Sequence, residues 1–331
     1  MINRQFISKI FAFVVGIGCV YIAYEFNNKS NTVLNGSIYG TSWTINSSDY
    51  ISDYHQANIK KILTSIDYLA SNYKDNSEVS ILNKNPLNEY FDISDQLNEL
   101  ITIAESVKSQ SNDFYDITLG KISASNGFSP NFGINVSNNI DNLSKKYEIQ
   151  NKQLIRYQDF WFDLSSIAKG FAVQEIHDYL VLNNLTNHLI DIGGEVIING
   201  TNGSTPWVVG IQDPRNQLEK PIFIVSNEKS KFLSIATSGE YRNIRYDGDD
   251  LITHTFNPFT EKSISGNLES ITIISQESAT LADAYATAVN VMGFDQGFEF
   301  VNTNNIAALF IVREEGELKL IKSQKWYNLE L

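Results

Sequence analysis

Apolar residues recur at helical spacing in four separate parts of this chain. The apolar face of the first part consists of Ile59, Ile62, Leu63, Ile66, Leu69 and Tyr73. The same spacing predicts helices at about 55–73, 95–108, 166–182 and 278–292. Gly293 follows the last helix and is a favourable C-cap residue, so we expect that helix to end there.

Short apolar runs predict strands, most of them in the second half of the chain. Residues 38–45 form one such run, with a glycine turn inside it. The other predicted strands are 188–199, 206–212, 221–226, 231–237, 270–275, 306–312 and 317–321. Residues 123–153 are rich in Ser, Asn and Gly, which predicts a loop. Because helices are inserted among the strands instead of alternating with them, the pattern favours an α+β fold with a mainly antiparallel sheet core and packed helices.

The N-terminus has the pattern of an export signal. Arg4 and Lys9 precede an unbroken apolar run from Ile10 to Tyr24, and no acidic residue stands before that run. A basic start followed by about 15 apolar residues is typical of a secretory signal. The run is short for a complete transmembrane helix.

Cys19 adds a second interpretation of this segment. It follows the small residue Gly18, as the cysteine of a lipoprotein processing site does, although Gly16 stands where such sites usually have Leu. A lipid-anchored Cys19 and an uncleaved N-terminal anchor are both compatible with the sequence. Either one predicts an export or anchor segment at 1–29, and a single folded domain at 30–331 on the periplasmic side of the inner membrane.

Composition and charge exclude several classes of protein. The chain has 331 residues, 42% hydrophobic and 19% charged, which is enough apolar mass for a folded core. Its 25 Lys and Arg against 38 Asp and Glu give a net charge of −13, which disfavours a nucleic-acid-binding protein. The single cysteine excludes an internal disulfide and a cysteine-based metal site. The four histidines do not fall at zinc-ligand spacing.

The helix predicted at 278–292 carries candidate metal ligands. Asp283 and Thr287 are four residues apart, so their oxygens emerge on one face of the helix. The surrounding alanines permit close approach of a ligand or of another backbone. Carboxylate, hydroxyl and carbonyl oxygens suit Mg²⁺ and suit zinc poorly. The same residues also fit a helix that packs closely on a sheet, with Asp283 stabilising the helix dipole.

Two glycine-rich or acidic segments are candidates for ligand contacts. Asp163 is predicted to end a strand, and Lys169 then falls in the first helical turn, where a cation opposes the helix dipole. An anionic ligand at this helix N-terminus would remove that conflict, whereas a solvated lysine is the alternative. Gly193 and Gly194 allow a backbone to approach a ligand, or simply form a tight turn.

His254 is a candidate base on a loop. It is followed by the turn signal Asn257-Pro258, which places it at the edge of a rigid loop, where catalytic groups are often held. A structural hydrogen-bonding role is the alternative for a lone histidine.

Nine motifs, taken in chain order, resemble the ApbE-type FAD:protein FMN transferases. They are YGTSW (39–43), SNYKDNSEVSILN (71–83), FYDITLG (114–120), FDLSSIAKGFAV (162–173), DIGGEVIING (191–200), WVVGIQDP (207–214), IATSGEYRN (235–243), HTFNPFT (254–260) and ADAYATAVNVMG (282–293). The resemblance covers residues 36 to 325. Agreement of nine motifs in the same order is very improbable by chance.

The resemblance implies an exported enzyme whose catalytic domain is 30–331. It implies that FAD is the substrate and that Mg²⁺ binds its pyrophosphate. A Thr or Ser hydroxyl of an acceptor flavoprotein, in a membrane redox complex or an exported reductase, then attacks the FMN phosphorus and AMP leaves. Two alternatives stay open at this point: an Mg²⁺-dependent FAD pyrophosphatase that gives FMN and AMP, and a non-enzymatic FAD-binding lipoprotein.

The resemblance also implies roles for particular residues. The positions that match flavin nucleotide contacts are Tyr39, Tyr73, Phe114, Tyr115, Asp116, Asp163, Lys169 and Phe256. The positions that match the magnesium ligands are Ser166, Asp283, Ala286 and Thr287, with Ala286 able to serve only through its carbonyl. His254 matches a histidine that assists deprotonation of the acceptor hydroxyl, and Asp283 is the second residue expected to be essential for catalysis.

Two positions depart from the pattern of the family. Asn257 stands where the family usually has Asp, which removes a charge near His254. Glu261 stands where the family usually has Gly, which adds an acidic side chain near the expected phosphate. We therefore expect the loop at 254–261 to differ in efficiency, although not in fold.

Overall fold

A layer of helices covers one face of a large antiparallel sheet. The computed structural model describes residues 4–28, 32–130, 145–215, 220–240, 244–247 and 250–329. The helices in these ranges are α1 (Arg4–Asn28), α2 (Asp53–Ala70), α3 (Glu78–Lys84), α4 (Asp95–Gln110), α5 (Gly120–Ser125), α6 (Ala168–Leu182), α7 (Ala279–Thr303) and α8 (Gln324–Tyr327).

The strands form one eight-stranded sheet and three small ones. In chain order the strands are β1 (Thr32–Ile38), β2 (Thr41–Ser47), β3 (Tyr90–Asp92), β4 (Tyr147–Gln150), β5 (Gln153–Arg156), β6 (His188–Ile192), β7 (Glu195–Asn199), β8 (Val208–Ile211), β9 (Phe223–Ser226), β10 (Phe232–Gly239), β11 (Ile244–Asp247), β12 (Asp250–Thr253), β13 (Leu268–Ser275), β14 (Ala307–Glu314) and β15 (Glu317–Lys322).

The large sheet has the strand order β1-β2-β6-β7-β10-β13-β14-β15. Every pair of neighbours in it is antiparallel, from β1 with β2 at one edge to β14 with β15 at the other. The small sheets are β3-β5-β4, β8-β9 and β11-β12. The predicted α+β fold with a mainly antiparallel sheet is therefore confirmed.

Alternate residues of the central strands enter different cores, as the period of two in a strand requires. In β7, Ile197 joins the cluster that also holds Ile59 of α2 and Phe171 of α6. Its neighbours Val196 and Ile198 join the cluster on the opposite face, which contains Trp207 and Trp326. The helices α2, α4, α6 and α7 thus lie on the face toward which Ile197 points.

The predicted helices all occur, with one difference at α7. The helical geometry breaks at Gly293, whose φ of 74° lies in the left-handed region. The first helical segment of α7 therefore ends where the sequence predicts. A second helical segment then continues to Thr303. Its apolar residues Phe300 and Val301 pack with Phe310 of β14, which is why the chain returns to a helix there.

Three predictions from local pattern are only partly correct. The strand expected at 38–45 is the end of a hairpin that turns at Tyr39 and Gly40, and 188–199 is a hairpin that turns at Gly193 and Gly194. The loop expected at 123–153 contains the end of α5 and the strand β4, and its residues 131–144 lie outside the described ranges. In each case a tight turn joins two strands that pair with each other directly, as β1 with β2, β6 with β7 and β4 with β5.

The N-terminal apolar run forms α1, and Cys19 is exposed on it. None of the helices that the structure describes has both the length and the hydropathy of a membrane span.

Candidate active site

The carboxylate of Asp283 lies where α7 meets the start of α6. Its side chain is buried, with 4% of the residue exposed, and its Oδ2 accepts a hydrogen bond of 2.8 Å from the backbone N–H of Gly170. Burial, and after it the nearby carboxylate of Glu195, raise the pKa of Asp283 to about 8 against the opposing effects of Lys169 and the Gly170 hydrogen bond. Asp283 is therefore a desolvated acid that a cation would stabilise in its charged form.

Gly170 allows α6 and α7 to come together at this point. A Cβ on Gly170 would lie 2.5 Å from the carbonyl oxygen of Ala279 and 2.6 Å from Cβ of Asp283. Since no side chain fits in that space, the glycine in the AKG motif is required by the packing of the two helices.

Lys169 forms an ion pair with Glu195 of β7, at 2.6 Å between Nζ and Oε2. The Glu195 side chain is 4% exposed and that of Lys169 is 30% exposed. The sequence predicted an unfavourable cation in the first turn of α6, and the carboxylate of Glu195 offsets it. A bound anion is therefore not needed to explain why Lys169 is tolerated there.

Glu195 is a site residue that the sequence reasoning missed. It is two residues before Ile197, so both side chains point from β7 toward the helical layer. An acidic residue at an inward position of an apolar strand was the signal that could have identified it. Two buried carboxylates, Asp283 and Glu195, thus face one ammonium group, and this imbalance favours a further cation.

The other predicted magnesium ligands lie on α7 and before α6. Thr287 is half-buried one turn after Asp283, and its hydroxyl lies 3.5 Å from the hydroxyl of Ser238. Ala286 is fully buried, and Ser166 shares a 2.9 Å hydrogen bond with the hydroxyl of Tyr115. The described residues contain no cluster of three or more His, Cys, Asp or Glu side chains suited to a metal. A set of one carboxylate with hydroxyl and carbonyl oxygens still fits Mg²⁺, which typically binds few carboxylates together with substrate phosphates.

The three residues of the predicted contact run at 114–116 have different surroundings. Tyr115 is buried, and burial raises the pKa of its phenol well above the usual value, so its hydroxyl stays protonated. Asp116 is held in place by Lys108 at 2.9 Å and Lys146 at 3.1 Å. Burial opposes ionisation of Asp116, but these two cations outweigh it and keep its pKa below the usual range. Phe114 packs edge-on against Phe259, with ring centroids 5.0 Å apart.

A second group of predicted residues surrounds Phe128. The ring of Phe128 lies 6.3 Å from the ring of His254 and 6.0 Å from that of Phe256, measured between centroids. Tyr73 is exposed and donates its hydroxyl to the carbonyl oxygen of Phe128. His254 is itself exposed, whereas Phe256 is buried. This arrangement leaves the imidazole accessible from outside the protein.

The charge of Asp163 acts on residues of both groups. Its charge acts on the phenol of Tyr73 on one side and on that of Tyr115 on the other. Tyr39 stands apart: it has a positive φ of 52° in the β1–β2 turn, and its hydroxyl donates to the carbonyl oxygen of Leu63 at 2.7 Å. The structure thus brings most of the predicted residues into two adjacent groups, with Tyr39 and Asp116 bonded to other parts of the chain.

The two departures in the loop at 254–261 have clear structural consequences. The side-chain oxygen of Asn257 accepts hydrogen bonds from the backbone of Phe259 at 2.9 Å and Thr260 at 3.2 Å, which an aspartate could also do. Glu261 has a φ of 57°, in the left-handed region where glycine is favoured. The expected Gly at this position therefore has a backbone reason, and Glu261 introduces strain.

The chain is similar to the members of one protein family. The chain matches the family model described as ApbE family over residues 39–310. The FAD:protein FMN transferase of Vibrio cholerae serotype O1 is 28% identical over 303 residues, which are 86% of this chain and 89% of that protein. The FAD:protein FMN transferase of Escherichia coli strain K12 is 28% identical over 306 residues, which are 87% of this chain and 86% of that protein.

Solved structures give the same result. The flavin transferase ApbE from Vibrio cholerae superimposes with a TM-score of 0.77 at 26% identity, covering 90% of this chain and 98% of that one. The apo form of the Pseudomonas stutzeri flavinyl transferase ApbE has a TM-score of 0.77 at 25% identity and covers 90% and 97% of the two chains. Because the family model matches most of its length, this chain belongs to the ApbE family.

Proposed function

We propose that this protein transfers FMN from FAD to a Thr or Ser hydroxyl of an acceptor flavoprotein and releases AMP. The observation that carries the proposal is that the buried carboxylate of Asp283, bonded to the backbone N–H of Gly170, lies within electrostatic reach of the Lys169–Glu195 ion pair. The relatives named FAD:protein FMN transferase support the reaction type, since they align over nearly all of this domain.

Mg²⁺ is the proposed cofactor. Asp283 and Thr287 would hold it through their side chains, Ala286 through its carbonyl, and Ser166 through its hydroxyl or carbonyl. When bound, the ion supplies charge neutralisation at the pyrophosphate of FAD. The burial of Asp283 supports this assignment, because a cation stabilises the charged form of a carboxyl group whose pKa is raised to about 8.

The remaining residues position the two substrates. Lys169 lies at the rim of the same site, 30% exposed, where its ammonium group can reach a phosphate oxygen while it stays paired with Glu195. The aromatic side chains Tyr73, Phe128 and Phe256 form an apolar surface suited to the flavin ring. Asp163, between the two groups, is placed to contact the nucleotide.

His254 is the proposed base. It accepts the proton of the acceptor hydroxyl as that oxygen forms a bond to the FMN phosphorus. The bond between this phosphorus and the bridging oxygen breaks, and AMP leaves with that oxygen. Because the imidazole is exposed, a side chain presented by another protein can reach it, which supports a protein acceptor over water alone.

The proposed acceptor is a flavoprotein subunit of a membrane redox complex or an exported reductase. We place the enzyme on the periplasmic side of the inner membrane, held there through residues 1–29. Lipid on Cys19 and an uncleaved anchor are the two proposed attachments, and exposure of Cys19 is compatible with the first. Incorporation of labelled fatty acid into the wild type, and its loss in Cys19→Ala, would support lipidation. If neither protein takes up the label, lipid attachment is excluded.

The reaction is tested by incubating the full chain with FAD, MgCl₂ and an acceptor domain that carries a flavinylation motif. We expect the intact mass of the acceptor to increase by the mass of an FMN group, and the acceptor band to become fluorescent. EDTA should abolish both signals. His254→Gln should lose transfer while FAD binding remains. Release of free FMN and AMP, with no covalent product, would instead identify a hydrolase.

A further inference from the structure

A cleft of about 440 Å³ opens where the end of α3 meets the segment that follows β5. Lys84 is the last residue of α3, Lys121 belongs to α5, and Arg156 is the last residue of β5. Asp159 and Trp161 complete the wall on the β5 side. None of the residues that line this cleft is assigned to the transfer reaction above.

Arg156 is a buried cation whose bonds go to neutral groups. It is 4% exposed, its Nη1 donates to the carbonyl oxygen of Phe160 at 2.6 Å, and its Nη2 donates to that of Asn85. Its Nε is buried and donates to no other described atom. Burial lowers the pKa of Arg156, and the charge of Asp159 acts in the opposite direction. A guanidinium that borders a cleft and has one unsatisfied N–H favours an anion in that cleft.

Two lysines add positive charge to the same cleft. The Lys121 side chain is 5% exposed and lies 2.5 Å from the carboxylate of Asp159, which is itself 61% exposed. Lys84 lies at the rim, 44% exposed, and pairs with Asp75 at 2.9 Å. The lining residues thus carry three cations against one carboxylate, in a chain whose net charge is −13.

The remaining wall of the cleft is apolar. Pro86, Leu87 and Trp161 line it beside the charged groups. Its volume falls in the range of small-molecule sites, which combine an apolar wall with a few charged groups that fix the orientation of the ligand. The shape and chemistry therefore fit a small organic anion better than a bare ion.

We propose that this cleft binds the oxyanion group of a small organic molecule, a phosphate ester or a carboxylate, with Arg156, Lys121 and Lys84 as its donors. Arg156 attracts the anion through its charge and its unsatisfied Nε–H. Lys84 closes over the anion from the rim, and the organic part lies on Pro86, Leu87 and Trp161. None of these residues is among those matched to FAD or magnesium contacts.

The test is calorimetric titration of the full chain with inorganic phosphate and, separately, with succinate. EDTA is present so that no metal can recruit phosphate to Asp283, and NaCl holds the ionic strength constant because surface attraction depends on salt. We expect saturable binding of at least one anion. Tighter binding of phosphate would identify a phosphate ester as the ligand, and tighter binding of succinate a carboxylate.

Variants distinguish binding in the cleft from non-specific attraction between charges. Lys84→Gln, at the exposed rim, should weaken binding about tenfold. Arg156→Lys, which keeps the charge and removes Nε, should also weaken it. Lys145→Gln is the matched control, because Lys145 is 60% exposed, pairs with Glu148 and lies outside the cleft. Lys169→Gln should leave the affinity unchanged.

Three results would overturn the proposal. The first is the absence of saturable binding of either anion by the wild type. The second is an equal loss in Lys84→Gln and Lys145→Gln, which would indicate non-specific attraction. The third is loss of binding in Lys169→Gln, which would place the anion in the transferase site.

Discussion

The backbone N–H of Gly170 donates a hydrogen bond of 2.8 Å to Oδ2 of Asp283, and this bond joins the first turn of α6 to α7. The two residues are 113 positions apart in the chain. Gly170 thereby fixes the direction in which the carboxylate points, and it does so without a side chain because none fits.

Replacement of this glycine tests the arrangement. Gly170→Ala should lower the free energy of unfolding by about 1–3 kcal/mol, because the new methyl group overlaps Ala279 and Asp283. It should also reduce FMN transfer by displacing the carboxylate. Urea unfolding and acceptor fluorescence measure the two effects. Gly266→Ala is the control, since a Cβ there meets no atom within 4 Å. Equal stability of both variants would contradict the packing argument.

Removing the charge of Asp283 should separate catalysis from folding. Asp283→Asn keeps an oxygen that can accept the Gly170 hydrogen bond, but it removes the charge proposed to hold Mg²⁺. We expect transfer to fall about 100-fold to 1,000-fold, the usual cost of losing one group that stabilises a transition state. We expect the unfolding free energy to be unchanged or higher, because a buried carboxylate is costly. Near-normal transfer rates would exclude Asp283 from the reaction.

The buried pair His177 and His188 predicts how stability depends on pH. His188 Nδ1 lies 2.9 Å from the carbonyl oxygen of Leu185, which can only accept, so Nδ1 carries the proton. His188 Nε2 then accepts from Nδ1 of His177 at 2.9 Å, with both rings neutral. Burial, and after it the neighbouring His177, lower the pKa of His188 to about 3, and burial also lowers the pKa of His177.

The direction of the effect follows from proton binding. Below pH ~6.5 the unfolded chain protonates these histidines while the folded chain does not, so the unfolding free energy falls as the pH is lowered. For His188 the slope should approach about 1.4 kcal/mol per pH unit between pH ~6 and ~4. Urea unfolding at several pH values measures it. His188→Gln should flatten the slope, and His55→Gln should keep it. An unchanged slope in His188→Gln would exclude this pair as the cause.

Glu261 offers a stabilising substitution. Its φ of 57° is strained for a residue with a side chain, so Glu261→Gly should raise the unfolding free energy by about 0.5–1 kcal/mol. Thermal unfolding is the measurement. Glu277→Gly is the control, because Glu277 is an exposed loop residue that is absent from the positive-φ positions. If both substitutions lower the melting temperature alike, the backbone at 261 is not the source of strain.

Several parts of the candidate site were predictable from local sequence. The 3.6-residue period places Asp283 and Thr287 on one face of α7, and the turn residues place His254 on a loop, because both features depend on neighbours in the chain. Motif order was enough to assign the family. Glu195 was not predicted, because its role depends on a strand that faces a helix far away in sequence.

The sequence by itself therefore determined the long helices and most strands of the large sheet, the apolar faces of those helices, and the family to which the chain belongs. Only the tertiary structure decided that Lys169 pairs with Glu195 and that Asp283 is desolvated against Gly170. Periodicity is a property of consecutive residues, whereas burial and charge pairing arise when α6, α7 and β7 pack together. The charge balance of the site is a product of that packing.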